Sequence, residues 1–197
     1  MEESLGLKAL STGDMLRVAV EQKTDIGQHV EKKMASGDLV PDKLIVDMVA
    51  QRIKESDCVN GAILDGFPRT LAQAKMFDNV LSERNLVLDL VILFEADDEM
   101  MIDRIAGRFS CANCSESYHD TSRPLTRDGV CDVCGGDRFR RRADDNPETI
   151  RYRLNDYHAL IEPLLNFFRG KYKLRSVDAT AEIGDLKHEI KLLMNAP

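Results

Sequence analysis

Ala62-Ile63-Leu64-Asp65-Gly66-Phe67-Pro68-Arg69-Thr70 sets a short aliphatic run against a carboxylate, a glycine and a guanidinium. The run is strand-sized, and Asp-Gly ends it. The same plan recurs twice: Leu90 to Phe94 ends at Glu95, and Leu174 to Val177 ends at Asp178. Helical patterns lie between these strands. Short apolar strands separated by helices imply an α/β fold whose parallel sheet is buried on both faces. Ligands of such sheets sit at the carboxyl ends of the strands, where Asp65 and Asp178 fall.

The helices are legible from spacing and end signals. Ile45, Met48, Val49 and Ile53 repeat at helical intervals after Pro41-Asp42. A long helix follows Asn146-Pro147, with Asn146 as its cap and Pro147 in its first turn. Its stripe reads Ile150, Leu154, Tyr157, Ile161, Leu165 and Phe168, and Pro163 is expected to kink or divide it. The last helix carries Ile183, Leu186, Ile190 and Leu193. Residues 108–142 differ: they hold four of the five cysteines, three glycines and few aliphatic residues. Such a composition makes no core of its own, so a metal is expected to hold the segment together.

A chain of 197 residues, 43% hydrophobic and 31% charged, is long enough for a real core. Its net charge of −7 disfavours a general nucleic-acid binder, which needs a basic face. Positive charge is nonetheless concentrated, with Arg138, Arg140, Arg141, Arg142, Arg151 and Arg153 inside sixteen residues. A solvated face would account for that cluster, but a small anionic ligand suits it as well. No apolar run approaches the roughly 20 residues that cross a bilayer. The acidic amino end has no apolar signal region, so the expectation is a cytoplasmic protein away from membranes.

Cys111-x-x-Cys114 and Cys131-x-x-Cys134 form two tight knuckles separated by sixteen residues. Without a secretion signal this spacing favours a metal over disulfides, and four thiolates make a closed, structural zinc site. His119 is close by but is not needed as a ligand, and Cys58 is assigned no role. Ser11-Thr12-Gly13-Asp14-Met15-Leu16-Arg17 is by itself a good helix cap followed by an arginine. Asp65-Gly66-Phe67-Pro68-Arg69-Thr70 is by itself a turn. Arg142-Ala143-Asp144-Asp145 and Arg151-x-Arg153 flank the inserted segment, and converging arginines suit phosphoryl groups because each forms bidentate, charge-assisted bonds.

Taken in order, these segments closely resemble the adenylate kinase family in its long-lid, zinc-containing form. Gly37-Asp38-Leu39-Val40-Pro41-Asp42, Gln73 and Arg104-Ile105-Ala106-Gly107-Arg108 join the pattern, which covers the chain from about Gly6 onward. The resemblance implies a core of residues 1–10, 41–106 and 146–197, a monophosphate-binding insert at 11–40 and a zinc lid at 107–145. It also implies reversible phosphoryl transfer from ATP to AMP giving two ADP, by a monomer that uses magnesium. Thr12, Arg17, Asp38, Leu39, Val40, Gly66, Phe67, Pro68, Arg69 and Gln73 resemble the AMP pocket, with Gln73 on the adenine edge. Arg104, Arg108, Ser117, Tyr118 and, more loosely, Ala181 resemble the ATP side. Arg69, Arg108, Arg142 and Arg153 look like the groups around the transferring phosphoryl, with Arg142 and Arg153 also touching AMP. Asp65 looks like the residue that holds magnesium through water.

One family element is not in the sequence: a buried first strand followed by a glycine-rich loop ending in Gly-Lys-Gly-Thr or similar. That loop's N–H groups cradle phosphates and its lysine reaches the outer ones. The single Gly-Lys pair, Gly170-Lys171, has Leu165 and Tyr172 at the flanking motif positions. The expectation is that Met1 is an internal methionine or the chain a truncated product, that the sheet lacks its central strand, and that the chain as given turns over poorly. Two other classes were weighed: an inactive AMP-binding or scaffold remnant of the same fold, and a zinc-ribbon nucleic-acid module, against which the acidic balance speaks.

Overall fold

The structure is a computed structural model that describes residues 6–36, 38 and 40–195, excepting the side chains of 35, 36, 183 and 195. Residues 1–5, Gly37 and Leu39 lie outside the described residues. Two compact units are present. One comprises Met1–Met34, Leu39–Glu95 and Asp156–Pro197; the other comprises Ala35–Asp38 and Ala96–Asn155.

The first unit opens with β1 (Lys8–Ser11), which pairs in parallel with β2 (Ala62–Asp65). The register Lys8↔Ala62 to Ser11↔Asp65 ends both strands level with one another. A second parallel pair joins β3 (Val91–Glu95) to β7 (Leu174–Asp178), with Glu95 opposite Asp178. Helices connect the strands: α1 (Thr12–Glu21), α2 (Asp25–Ser36), α3 (Asp42–Arg52) and α4 (Leu71–Glu83). Parallel pairing with helical crossovers is the α/β class that the apolar runs imply. The three expected strands fall within a residue of their observed bounds.

Burial corrects the expected sheet. Among the described residues β2 has a partner only on the β1 side, and β3 only on the β7 side. Ile63, Leu64, Ile92 and Leu93 are half-buried, and Phe94 is 48% exposed. A cavity of about 410 Å³ explains the difference: Ile63 and Leu64 of β2, Val91 and Ile92 of β3, Phe77 and Phe168 all line it. The apolar surface of both strands faces this groove instead of another strand.

The core sits beside the sheet. Leu16, Val30, Ile45, Val46, Val49, Phe77 and Leu81, drawn from α1 to α4, and Phe67 of the turn after β2 form its buried heart. Phe67 meets Phe77 edge to face at 5.1 Å. Close crossing of α1 and α2 requires Gly27, where a Cβ would lie 2.0 Å from the Ala19 carbonyl oxygen. Cys58 is buried beside Arg52 and has no further role.

The second unit contains α5 (Asp98–Ala106) and an antiparallel sheet of β4 (Arg108–Cys111), β5 (Ser117–His119) and β6 (Phe139–Arg140), in the order β5-β4-β6. The helix α6 (Pro147–Lys171) begins here and ends in the first unit. Asn146 caps it, its side-chain oxygen accepting from the Thr149 N–H at 2.9 Å. Two details of the reading of α6 are corrected. The helix runs 25 residues through Pro163 undivided, with Pro163 itself exposed. Tyr157 is exposed, and Leu164 is buried beside Leu165, because Leu164 stands three residues from Ile161 and four from Phe168 and so shares their face. The last helix is α7 (Ile183–Asn195), with Ile190 buried. None of the described helices is long and apolar enough to cross a membrane.

Asp78 on α4 ties that helix to the end of α6, accepting from Lys171 Nζ and the Tyr172 hydroxyl. The Lys171 ammonium, with help from Tyr172, holds the Asp78 carboxyl below the usual carboxylate range. A depressed folded-state pKa contributes stability that is complete above the unfolded value and lost as pH falls through the folded one. Asp78→Asn should therefore destabilise by about 1 kcal/mol at pH 7, the half-exposed lysine limiting the effect. Urea denaturation at several pH values should show the gap from wild type closing below about pH 4.

Candidate active site and metal centre

The level ends of β1 and β2 assemble the first part of the site. Ser11 caps α1, its Oγ accepting from the Asp14 N–H, so Thr12 enters the helix with its hydroxyl turned back toward the sheet. Thr12 is buried and donates to the Gly66 carbonyl at 3.2 Å. Arg69 Nε donates to the same oxygen at 2.9 Å. Gly66 turns the chain after β2 with φ of +68°, a conformation natural to glycine, and a Cβ there would come within 3.0 Å of Arg69 Nη2. Asp65 is exposed at the strand end, and Arg17, one turn into α1, pairs with Asp14.

Thr70 closes the turn as the cap of α4, its hydroxyl accepting from the Gln73 N–H at 3.0 Å and donating to Asp42 Oδ1 at 3.1 Å. Gln73 is 3% exposed. Its Nε2 donates to Asp42 Oδ1 at 2.8 Å while its Oε1 accepts from the Arg69 N–H at 2.8 Å. Thr12, Gly66, Phe67, Pro68, Arg69 and Gln73 are thus brought together, and Val40 is buried in the core beside Phe67. Asp42, read from sequence only as a helix start, is the residue that orients Gln73. At the other strand pair, Asp178 accepts from the Thr180 N–H at 2.8 Å, which with the Thr180 hydroxyl holds its carboxyl low. Ala181 follows that turn half-buried.

In the second unit Arg108, Arg151 and Arg153 each have a carboxylate partner. Arg108, at the start of β4, forms a two-pronged bond to Asp145, with Nε to Oδ2 at 2.9 Å and Nη2 to Oδ1 at 2.7 Å. The Asp145 side chain is only 2% exposed. Arg153 on α6 bonds Asp144 at 2.8 Å, and Arg151 bonds Glu99 at 2.7 Å. Arg142 precedes these aspartates half-buried; Arg104 is exposed on α5, and so is Asp38 in its own segment. Asp144 and Asp145 were read from sequence only as the end of Arg142-Ala143-Asp144-Asp145, and the fold makes them the partners of Arg153 and Arg108.

The cysteines meet. All four Sγ atoms lie within 4.8 Å of one another, with Cys111 to Cys134 and Cys114 to Cys131 both at 3.6 Å. Disulfide sulfurs would be about 2.05 Å apart, whereas a tetrahedron of Zn–S bonds near 2.3 Å has edges of about 3.8 Å. The donor set therefore fits a tetrahedral ion. Both knuckles share one backbone design: the N–H four residues on bonds back to the Cys111 or Cys131 carbonyl, and Ser115 and Gly135 both take positive φ. Phe109, Leu125, Phe139 and Tyr118 pack around Cys111 and Cys131. The Tyr118 hydroxyl bonds Cys131 Sγ at 3.2 Å, holding that thiol down at about 6 while its own phenol is pushed up to about 12. His119 is committed elsewhere: its Nδ1 faces the N–H groups of Thr121 and Ser122, and its Nε2 faces the Asp103 carbonyl.

Polar groups at the carboxyl ends of parallel strands and a four-cysteine insert are the marks of a nucleoside monophosphate kinase, a phosphotransferase. The model of the adenylate kinase family matches residues 1–173. The adenylate kinase of Allorhizobium ampelinum is 44% identical over 193 residues, covering 98% of this chain and 89% of the relative. That of Magnetococcus marinus is 43% identical over 190 residues, 96% of this chain and 89% of the relative. That of Methanosarcina barkeri is 41% identical over 194 residues, again 98% and 89%. The chain belongs to the adenylate kinase family.

Removing one partner from a buried ion pair leaves an uncompensated charge, a loss of about 3 kcal/mol or more. Arg108→Ala should lower the stability of the unit by that order, measured by denaturant unfolding, because Asp145 stays buried. The double variant Arg108→Ala, Asp145→Asn should regain most of it.

Proposed function

We propose that the protein catalyses reversible phosphoryl transfer between ATP and AMP, giving two ADP. The observation that carries this reading is the cluster of Thr12, Gly66, Arg69 and Gln73 at the level ends of β1 and β2. Thr12, Arg17, Asp38, Leu39, Val40, Gly66, Phe67, Pro68, Arg69 and Gln73 hold AMP, with Gln73 exchanging its bond to Asp42 for the adenine edge. Arg104, Arg108, Ser117, the backbone of Tyr118 and Ala181 face ATP. Residues 1–10, 41–106 and 146–197 act as the core, 11–40 as the monophosphate-binding insert and 107–145 as the lid.

Phosphoryl transfer proceeds mainly by alignment and charge neutralisation, so no side-chain nucleophile is required. Arg69, Arg108, Arg142 and Arg153 neutralise the transferring group, and Asp144 and Asp145 give up their arginines as phosphate oxygens replace carboxylates. Asp65, exposed at the strand end, would hold magnesium, which would supply further charge neutralisation to the phosphates. Cys111, Cys114, Cys131 and Cys134 would hold zinc as a structural staple of the lid, and the lid excludes water from the transfer. The setting is cytoplasmic and the protein a monomer.

The 197 residues contain no Gly-x-x-x-x-Gly-Lys-Ser/Thr sequence. We propose that they turn over slowly by themselves yet bind AMP, and that the groove beside β2 and β3 takes an apolar strand leading into such a loop. Calorimetry should show AMP binding by the 197-residue chain, and a coupled ADP assay should show a gain of at least 10²-fold when that strand and loop are fused ahead of it. Arg69→Ala in the fused protein should cut kcat/KM at least 10²-fold, about 2.7 kcal/mol of transition-state stabilisation. AMP binding with no ADP formed by the fused protein would favour the second reading, an inactive AMP-binding scaffold.

A further inference from the structure

Tyr118 holds a place in the lid that its ring alone does not explain. The side chain is 3% exposed. Phe109 stacks on it at 5.6 Å, Phe139 meets it edge-on at 6.0 Å, and the Arg123 guanidinium sits 5.6 Å from the ring centroid. A phenylalanine would fill that position equally well. The hydroxyl, however, has two partners: the Asp132 N–H at 2.9 Å and Cys131 Sγ at 3.2 Å.

Proton accounting fixes the direction of both bonds. The backbone N–H of Asp132 can only donate, so the phenolic oxygen is the acceptor there. The one phenolic proton is left for the sulfur. Burial excludes water as a competing acceptor, and the packed ring cannot swing the O–H elsewhere. Cys131 is therefore set apart from the other three cysteines: among the described residues, their sulfurs meet backbone N–H groups from outside the cluster, those of Asn113, Glu116 and Gly136, and no side-chain hydroxyl.

We propose that Tyr118 is a positioning residue for the metal, its O–H donating to the Cys131 thiolate while that sulfur binds zinc. The proposal rests on the reading of the four cysteines as a metal centre. Four thiolates around a divalent ion carry a net charge of −2, and a buried donor withdraws part of it. It also occupies a sulfur lone pair that an oxidant, an alkylating agent or a proton would otherwise attack. Groups that hydrogen-bond to ligand atoms commonly change metal retention by 10- to 100-fold.

The test compares wild type with Tyr118→Phe, which keeps the ring and removes only the O–H. Zinc transfer to a coloured chelator should be about tenfold faster from the variant. In the cobalt-loaded proteins the sulfur-to-cobalt charge-transfer band should move to lower energy in the variant, because an undonated thiolate is the better electron source. A change in packing alone would leave that band in place. Equal release rates and identical bands overturn the proposal while leaving the metal centre intact. A wild type that shows no tetrahedral cobalt spectrum overturns both. Should Tyr118→Phe fail to fold, cadmium-113-loaded wild type decides: coupling of a slowly exchanging hydroxyl proton to the metal through sulfur supports the bond, and its absence refutes it.

Discussion

The pairing register of β1 on β2 is the constraint from which the cluster of Thr12, Gly66, Arg69 and Gln73 follows. Parallel strands hydrogen-bond at fixed intervals, so setting Ser11 opposite Asp65 leaves no freedom in where the two chains exit. Thr12 and Gly66 then stand side by side, and one carbonyl accepts from both Thr12 and Arg69. A shift of one residue would also turn Leu10 and Leu64 to the opposite faces of the sheet, so core burial and site geometry enforce the same register. The groove along β2 and β3 shows the complement of this rule: where no ladder partner lies alongside, apolar strand residues remain half wet.

Much of this was legible in the sequence, for physical reasons that differ from element to element. Strands β2 and β3 announce themselves because unbroken aliphatic runs have few other uses in so polar a chain, whereas β7 carries Arg175 and Ser176 between Leu174 and Val177. Strand β1 does not, since Lys8-Ala9-Leu10-Ser11 holds one large aliphatic residue and no β-branched one. Caps at Ser11 and Asn146 were readable because they act within three residues. The orienting contacts were not: Asp42 reaches Gln73 across 31 positions and Arg108 reaches Asp145 across 37. Nothing local marks which carboxylate a folded chain returns to which donor. The motifs could therefore be assigned by resemblance while the partners that hold them in place could not.

The metal centre presents the opposite case. Its four cysteines were plain from spacing, because two Cys-x-x-Cys turns at this separation are the pattern of a shared ion. What spacing left out was that the centre is also a hydrophobic core. Cys111, Tyr118 and Cys131 are the buried residues of the unit's sheet region, and three aromatic rings close around them. A segment too poor in aliphatic residues to fold by burial alone uses coordination and ring packing at the same point, so a defect in either loosens both.

The paired arginines of the lid have a further consequence. Arg108 and Arg153 present no bare cation to passing solutes, because each is already matched by an aspartate. A dilute monovalent anion gains little by exchanging places with a two-pronged carboxylate. A polyphosphate, bringing several charges on one backbone, can displace both aspartates together and recover the loss many times over. Exchange at Arg108 and Arg153 therefore means giving up a salt bridge at each, a loss that an anion of single charge offsets less well than one of several charges.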